Sequence, residues 1–458
     1  MKLSSRKRNR CSEVDVGRDR LSEMPDRVIV HILCCLPTFD AVRTVLLRRF
    51  GNLWTLVPTL KFDFEEFLNN YQGNNDCFRQ FKIFIRNVLM LHKRLSIDTF
   101  HLSLCPREIF ESKDVDDVKI WLRFALGREA KEIKFYTFIC DVSFLPNFTS
   151  QSLVTLELRG FRIDPQQVTL GSLKKLSLDS VDICEEAFQQ FISGCPSLQE
   201  LRIVNPCEIK KLSFTAPNID KLSLVHEYEY EYYVENKLLL LDIPNLKSLV
   251  LNVCSLPVII DVSSVRDLHI EDFFSDRYFS DDDDDEYNTM LKMFLGKFKD
   301  VEVFRLSRDA AVQFLDAIPC LCLSQNRWKC VVLELDAFSE DYFLGIYQLM
   351  RSLKDLEELL IYSKYWKDEA GTVLVPEEFS SPCVMPKLKS VTFHVCAKPW
   401  DRWLQLVQFV LRSAACLDKL VIIPCSNYYR LTTAEELEFV ERVSSFHWSS
   451  PNASVLFL

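Results

Sequence analysis

The protein has 458 residues, of which 48% are hydrophobic and 10 are glycine, and its net charge is −10. This composition excludes a disordered or fibrous chain, and the length is enough to bury a sizeable core. No run of about 18 uncharged apolar residues occurs, and the N-terminus lacks an apolar signal segment, so we expect a soluble intracellular protein without membrane spans. The length suggests about three domains, or one continuous repeat body.

Seventeen cysteines are scattered through apolar runs. In a chain without a secretory signal they are expected to stay reduced and to serve mostly as small buried hydrophobes. No pair has Cys-x-x-Cys spacing and the seven histidines form no helical ligand pair, so we expect no metal site and no cofactor.

Residues 1–18 form a predicted disordered tail whose first ten residues are basic and contain no acid. Such a cluster is typical of a nuclear import signal and also of an ordinary solvated tail. The expected location is therefore the cytoplasm, the nucleus or both.

Residues 19–63 are predicted to form about three short helices. A helix should begin at Pro25 and Asp26, because proline suits the first helical turn and an acid suits the helix N-terminus. It should end at Leu36-Pro37, and Thr38 should cap the next helix before Gly51 breaks the pattern. A unit this small buries too little surface to be stable alone, so its apolar residues are expected to serve a partner as well.

The same stretch resembles the F-box of plant F-box proteins through an ordered set of short motifs: Leu21-Ser22, Met24-Pro25-Asp26, Ile32-Leu33, Leu36-Pro37-Thr38, Asp40-Ala41-Val42, Arg48-Arg49-Phe50, Leu53-Trp54 and Val57-Pro58. The resemblance implies docking onto the Skp-type adaptor of a cullin-RING ubiquitin ligase. The implied adaptor-binding residues are Met24, Pro25, Val28, Ile32, Leu36, Pro37, Leu46, Phe50 and Trp54. Leu47, Phe50 and Gly51 depart from the family pattern.

Residues 64–94 are predicted to be a helical connector that packs on the next part of the chain. Its apolar positions share one helical stripe: Phe78, Phe81, Ile85, Val88 and Leu89.

Residues 95–382 repeat the pattern Leu-x-x-Leu-x-Leu. We find it at 97-100-102, 153-156-158, 173-176-178, 198-201-203, 209-212-214, 219-222-224, 246-249-251, 265-268-270, 301-304-306 and 356-359-361, and it continues at 388-391-393 and 417-420-422. Several steps lie near the period of leucine-rich repeats, about 20 to 29 residues, and others are irregular. The pattern predicts an irregular α/β solenoid, a horseshoe with a parallel sheet as binding wall and helices such as 116–126 and 185–192 opposite. Cys254, Cys396 and Cys425 are expected to turn inward after their strands.

Two segments interrupt the repeats. Residues 226–233 alternate acidic and aromatic side chains, which favours a strand at a hairpin edge over an exposed recognition patch. Residues 271–286 hold nine acids and one arginine, and we expect a mobile acidic loop that attracts, if anything, a basic substrate tail.

Residues 383–458 combine a strand after Pro386 with a helical stripe of Trp403, Leu406, Val407, Val410 and Leu411. This region looks like the FBD domain that follows leucine-rich repeats in many plant F-box proteins. We expect it to cap the last repeat.

No motif for phosphate binding, a nucleophilic serine or a zinc protease is present, so we expect no enzyme. The predicted function is that of a substrate adaptor in a Skp-cullin-F-box ubiquitin ligase, with a protein substrate on the repeat face and no membrane or nucleic-acid partner. Two alternatives remain open: a repeat scaffold whose F-box does not dock, favoured by Leu47, Phe50 and Gly51, and a receptor gated by a small molecule.

Overall fold

The computed structural model describes most of the chain in eighteen stretches: residues 23–47, 50–70, 76–104, 114–137, 143–144, 147–163, 167–205, 211–212, 218–225, 238–239, 243–252, 263–272, 284–321, 323–338, 341–366, 384–395, 400–424 and 433–457. The chain divides into two compact units, residues 1–139 and residues 140–458.

The described part of the first unit combines five helices with a parallel sheet. Its elements are α1 (Asp26–Cys34), α2 (Thr38–Arg43), β1 (Thr59–Asp63), α3 (Phe64–Asn70), α4 (Cys77–Leu91), β2 (Thr99–Ser103), α5 (Val115–Gly127) and β3 (Glu132–Tyr136), with short 3-10 helices at Thr44–Leu46 and Leu53–Leu56. Strands β1, β2 and β3 pair in parallel in that order. In this register the inward side chains stack, as Phe62 beside Leu102 and Leu102 beside Phe135.

Helix α1 begins where Pro25 and Asp26 predict. The carbonyl of Pro25 accepts the backbone N–H groups of Val28 and Ile29, so the first turn forms directly after the proline. The prediction that the Thr38 side chain caps α2 is wrong. Thr38 is buried inside the helix's first turn, and its hydroxyl oxygen accepts the backbone N–H of Lys61 at 2.7 Å. The hydroxyl therefore links α2 to β1, because it accepts the N–H of Lys61 in the strand and no N–H of its own helix.

The predicted stripe of the connector forms the buried face of α4, since Phe78, Phe81, Ile85, Val88 and Leu89 are all buried. Phenylalanines dominate the core around it. The ring centroids of Phe64 and Phe81 lie 5.3 Å apart, and those of Phe67 and Phe81 lie 5.2 Å apart. Such tilted pairs add to the free energy gained from burial alone.

The second unit alternates strands with fewer helices. Its elements are β4 (Ser143–Phe144), β5 (Asn147–Ser150), β6 (Thr155–Arg159), β7 (Arg162–Ile163), β8 (Gln167–Leu170), β9 (Lys175–Asp179), α6 (Glu185–Ser193), β10 (Glu200–Val204), β11 (Lys211–Leu212), β12 (Lys221–Val225), β13 (Leu238–Leu239), β14 (Ser248–Asn252), β15 (Asp267–Asp272), α7 (Asp284–Leu295), β16 (Val303–Ser307), α8 (Arg308–Ala317), β17 (Cys330–Phe338), α9 (Asp341–Ser352), β18 (Glu358–Trp366), β19 (Ser390–Val395), α10 (Trp400–Ser413), β20 (Lys419–Pro424), α11 (Thr433–Ser444) and β21 (Ser454–Phe457).

Twelve described strands of this unit form one parallel sheet in the order β6-β9-β10-β12-β14-β15-β16-β17-β18-β19-β20-β21. The motif leucines stand side by side across it, as Leu156, Leu176 and Leu201 do in β6, β9 and β10. Parallel strands need long crossovers, and the repeat length supplies them. The predicted α/β fold with a large parallel sheet of leucine-rich repeats is confirmed.

The structure adds strands that a search for leucine does not find. Strands β1, β3 and β17 have the same spacing filled by other residues, and all nine positions are buried: Val57, Leu60 and Phe62; Ala130, Ile133 and Phe135; Trp328, Val331 and Leu333. Trp328 shows why a different residue fits, because its ring stacks on Phe304 at 4.0 Å and its Nε1 donates to the Phe298 carbonyl. The spacing was thus a better signal than the residue type.

Three predictions about the repeat region need correction. The repeat at 209-212-214 does not join the large sheet, since β11 pairs only with β13 among the described residues. The predicted acidic loop is wrong at both ends, because residues 271–272 belong to β15 and residues 284–286 begin α7. Residues 273–283, the segment 226–233, and Cys254, Cys396 and Cys425 lie outside the described residues.

The C-terminal pattern folds as the sequence indicates. The five stripe residues of α10 are buried, and α10 connects β19 to β20. Strand β21 then pairs with β20 and continues the parallel sheet.

Most described cysteines are not buried, which corrects the expectation from composition. Of the eight cysteines described, Cys195 is buried and four are exposed. Burial raises the pKa of the Cys195 thiol to about 12, so this side chain behaves as a neutral core residue.

Candidate docking surface and repeat face

Helix α1 is apolar on two faces. Ile29 and Leu33 point into the core of the first unit and are almost fully buried. Val28 and Ile32, on another face, keep 43% and 36% of their surface exposed. Because one apolar face is enough to hold a helix on its own core, the second face is available to another molecule.

The exposed apolar surface continues beyond α1. We define the apolar set as the six exposed aliphatic residues between positions 28 and 47, with their exposed fractions: Val28 43%, Ile32 36%, Leu36 39%, Val45 50%, Leu46 85% and Leu47 54%. Leu46 is the last residue of a short 3-10 helix that directly follows α2, so the turns of an extended helix do not cover it. The sequence named four of these six residues. It missed Val45 and Leu47, for which their position beside Leu46 was the available signal.

The remaining predicted docking residues differ in exposure. Pro25 is exposed, while Met24, Pro37 and Phe50 are partly exposed. Trp54 is only 5% exposed, and its 3-10 helix packs against α1. In this structure Trp54 therefore supports the docking region from inside and offers little surface to a partner.

The large sheet of the second unit carries a polar row on its outward positions. Ser307, Glu334, Tyr362 and His394 are direct neighbours across the strands β16, β17, β18 and β19. Ser307 donates to Glu334 Oε2 at 3.0 Å, and the ring of Tyr362 stacks on His394 with centroids 4.2 Å apart. No local motif predicted this row, since its members come from four different repeats.

His269 contacts the polar row at Ser307. His269 Nε2 lies 2.8 Å from Ser307 Oγ. Because the single hydroxyl proton of Ser307 is directed at Glu334, His269 must be the donor in this contact. A nucleophilic serine needs the reverse arrangement, in which its proton passes to histidine. The cluster is therefore arranged to hold the Glu334 carboxylate and is not arranged for attack by Ser307.

The described part of the chain contains neither a metal cluster nor a membrane-spanning helix. No group of three or more His, Cys, Asp or Glu side chains there is placed to hold a metal ion. None of the described helices is both long enough and apolar enough to cross a bilayer.

Comparison with known proteins bears on the repeat region. Residues 118–280 match the family model of the leucine-rich repeats of FBD-associated F-box protein At5g56370. The F-box/FBD/LRR-repeat protein At2g04230 of Arabidopsis thaliana is 31% identical to this chain over 52% of the chain and 54% of that relative. The chain is similar in sequence to plant F-box/FBD/LRR-repeat proteins.

Further relatives extend the match. The Arabidopsis thaliana F-box/FBD/LRR-repeat protein At5g56420 is 32% identical over 50% of this chain and 54% of its own length. F-box/FBD/LRR-repeat protein At4g26340 from the same plant is 24% identical over 96% of this chain and 100% of its own length. At the higher identities, the chain spans about half the length of the curated relatives it matches.

Proposed function

We propose that this protein is the substrate-recognition adaptor of a Skp-cullin-F-box ubiquitin ligase. Residues 19–63 act as the F-box, residues 64–94 as a connector, residues 95–382 as the repeat region and residues 383–458 as an FBD-type cap. Its place of action is the cytoplasm or the nucleus. The observation that carries the proposal is the apolar set, which is exposed on a helical segment whose other face is already buried in the first unit.

The proposed docking residues are Met24, Pro25, Val28, Ile32, Leu36, Pro37, Leu46, Phe50 and Trp54. Leu46 is the strongest candidate for direct contact, because 85% of its surface is exposed and a partner would bury nearly all of it. Fully burying one leucine contributes about 1.5–3 kcal/mol. Trp54 contributes indirectly, by fixing the position of α1.

The proposed mechanism is proximity. The docking region holds the Skp-type adaptor, the repeat sheet holds a protein substrate, and the effective concentration of a substrate lysine near the charged conjugating enzyme rises. The chain itself contributes no nucleophile to this mechanism.

The test compares two leucines of nearly equal exposure in the same unit. Leu46 is 85% exposed and belongs to the apolar set, whereas Leu95 is 84% exposed and lies in the loop after α4. We expect Leu46→Asp to weaken binding of a purified Skp-type adaptor roughly thirtyfold, which corresponds to about 2 kcal/mol at an interface hot spot. Leu95→Asp should bind like the wild-type chain in the same calorimetric titration.

Each other result has a defined meaning. If the wild-type chain does not bind the adaptor, the F-box role is wrong and the repeat-scaffold alternative takes its place. If both aspartate variants bind as tightly as the wild type, the apolar set is not the docking surface. Thermal unfolding of the two variants, which should match that of the wild type, controls for misfolding.

A further inference from the structure

The polar row of the large sheet suggests what the repeat face recognises. Glu334 is an exposed carboxylate between Ser307 on one side and Tyr362 on the other. Ser307 and, behind it, His269 hold the carboxylate through one oxygen, Oε2. In the described part of the chain no lysine or arginine forms an ion pair with Glu334. Its charge is thus positioned but not neutralised.

Arg305, a cation on the same face of the sheet, is already engaged. Arg305 lies two residues before Ser307 on β16, and its Nε is 3.4 Å from Asp267 Oδ1. Glu358, another acid on the outward positions, stands beside Cys330. Burial, followed by the charge of Glu358, raises the pKa of the Cys330 thiol to about 11, so this thiol is neutral. Among the side chains that the structure describes here, Asp267 is therefore paired with Arg305, whereas Glu334 and Glu358 form no ion pair.

An aromatic ring borders the unpaired carboxylate. The Tyr362 ring stacks on His394 at an interplanar angle of 26°, so His394 covers the ring face on the β19 side. The opposite ring face is directed towards β17, the strand that carries Glu334. Neighbouring strands are about 4.8 Å apart, so a cation on the solvent side of Glu334 and Tyr362 is within reach of both side chains. Burial lowers the pKa of His394, so the stacked imidazole is neutral at pH 7 and does not repel a cation.

We propose that Glu334 and the partly exposed ring of Tyr362 form a recognition slot for a lysine or arginine side chain on an exposed basic segment of the protein substrate. This inference rests on the proposed function, because it gives the chemistry of the substrate that the repeat face holds. A cation in the slot forms an ion pair with the carboxylate and lies over the ring at the same time. Burial and the nearby Glu334 charge raise the pKa of Tyr362, which keeps the phenol neutral and its ring suited to this contact.

The test measures fluorescence anisotropy of a labelled peptide of alternating lysine and glycine with the full-length protein. We expect Glu334→Gln, which keeps the shape and removes the charge, to weaken binding about tenfold, because the cation loses its ion pair. Tyr362→Leu should weaken binding about fivefold through loss of the ring face. Glu186→Gln makes the same charge change in the first turn of α6 and should leave binding unchanged.

Several results would overturn the slot. They are equal binding by wild type and Glu334→Gln, an equal loss in Glu186→Gln, and equal binding of a peptide of alternating glutamate and glycine. Dimerisation of the wild-type chain that Glu334→Gln abolishes, seen by light scattering, would assign the slot to a second copy of the chain instead. Adaptor binding measured on the same samples reports separately on the proposed function, so a chain that binds the adaptor without binding the lysine peptide refutes the slot alone.

Discussion

Gly345 provides a test in which helix propensity and packing predict opposite signs. It lies inside α9, where replacing glycine by alanine normally stabilises a helix by about 0.5–1 kcal/mol. In this structure a Cβ on Gly345 would lie 2.6 Å from the Leu315 carbonyl oxygen and 3.1 Å from its carbon. Those atoms are backbone of the neighbouring helix α8 and cannot rotate away. Overpacking of this kind costs about 1–3 kcal/mol, so we expect Gly345→Ala to destabilise the α8–α9 pair by about 1–2 kcal/mol net.

Hydrogen exchange suits this test because the chain has two units and a single unfolding transition is not assured. Exchange in peptides from α8 and α9 should become roughly tenfold faster, since about 1.4 kcal/mol corresponds to a factor of ten. Gly127→Ala is the matched control, because Gly127 ends α5 and a Cβ there meets nothing within 4 Å. That variant should slow exchange in α5 or leave it unchanged. Slower exchange of α8 and α9 in Gly345→Ala would refute the argument from packing.

Two further predictions concern the first unit. Lys82→Met should destabilise it by about 3 kcal/mol, because the ammonium pairs with the buried Asp114 carboxylate as well as with Asp117. In urea unfolding, adding Asp114→Asn to this variant should restore much of the lost stability. If the second substitution restores none of it, the ion-pair explanation is wrong. Burial lowers the pKa of His92 below its ordinary value of 6.5, against the opposing effect of the hydrogen bond from its Nε2 to the Val57 carbonyl. The unfolded chain therefore binds this proton more readily, and the free energy of unfolding should fall as the pH drops below about 6.5. His92→Gln should reduce that pH dependence in limited proteolysis of the first unit, and an unchanged dependence would assign it to other groups.

Local periodicity determined much of the fold. The stripes of α4 and α10 and the leucine spacing of the repeats each state which side chains turn inward, and burial follows from that alone. The strands that were missed, such as β17 with Trp328 at its first motif position, keep the spacing and change only the residue type. A search for the spacing, with any apolar residue allowed at each position, would have found them.

The docking region was predictable only in part. Sequence motifs pointed to Val28, Ile32, Leu36 and Leu46, all of which are exposed. They pointed equally to Trp54, which packs inside. Periodicity states that a residue is apolar on a given face, but whether that face meets the chain's own core depends on which segments return to cover it.

Tertiary structure alone decided the polar row and the Gly345 contact. Ser307, Glu334, Tyr362 and His394 are far apart in the chain and become neighbours only through the register of four parallel strands. Gly345 is constrained by a carbonyl on another helix, which no local pattern records. The sequence by itself determined which residues of each repeat point inward, because that depends on a local period. Long-range strand register decides which outward side chains become neighbours, and a local period carries no information about that register.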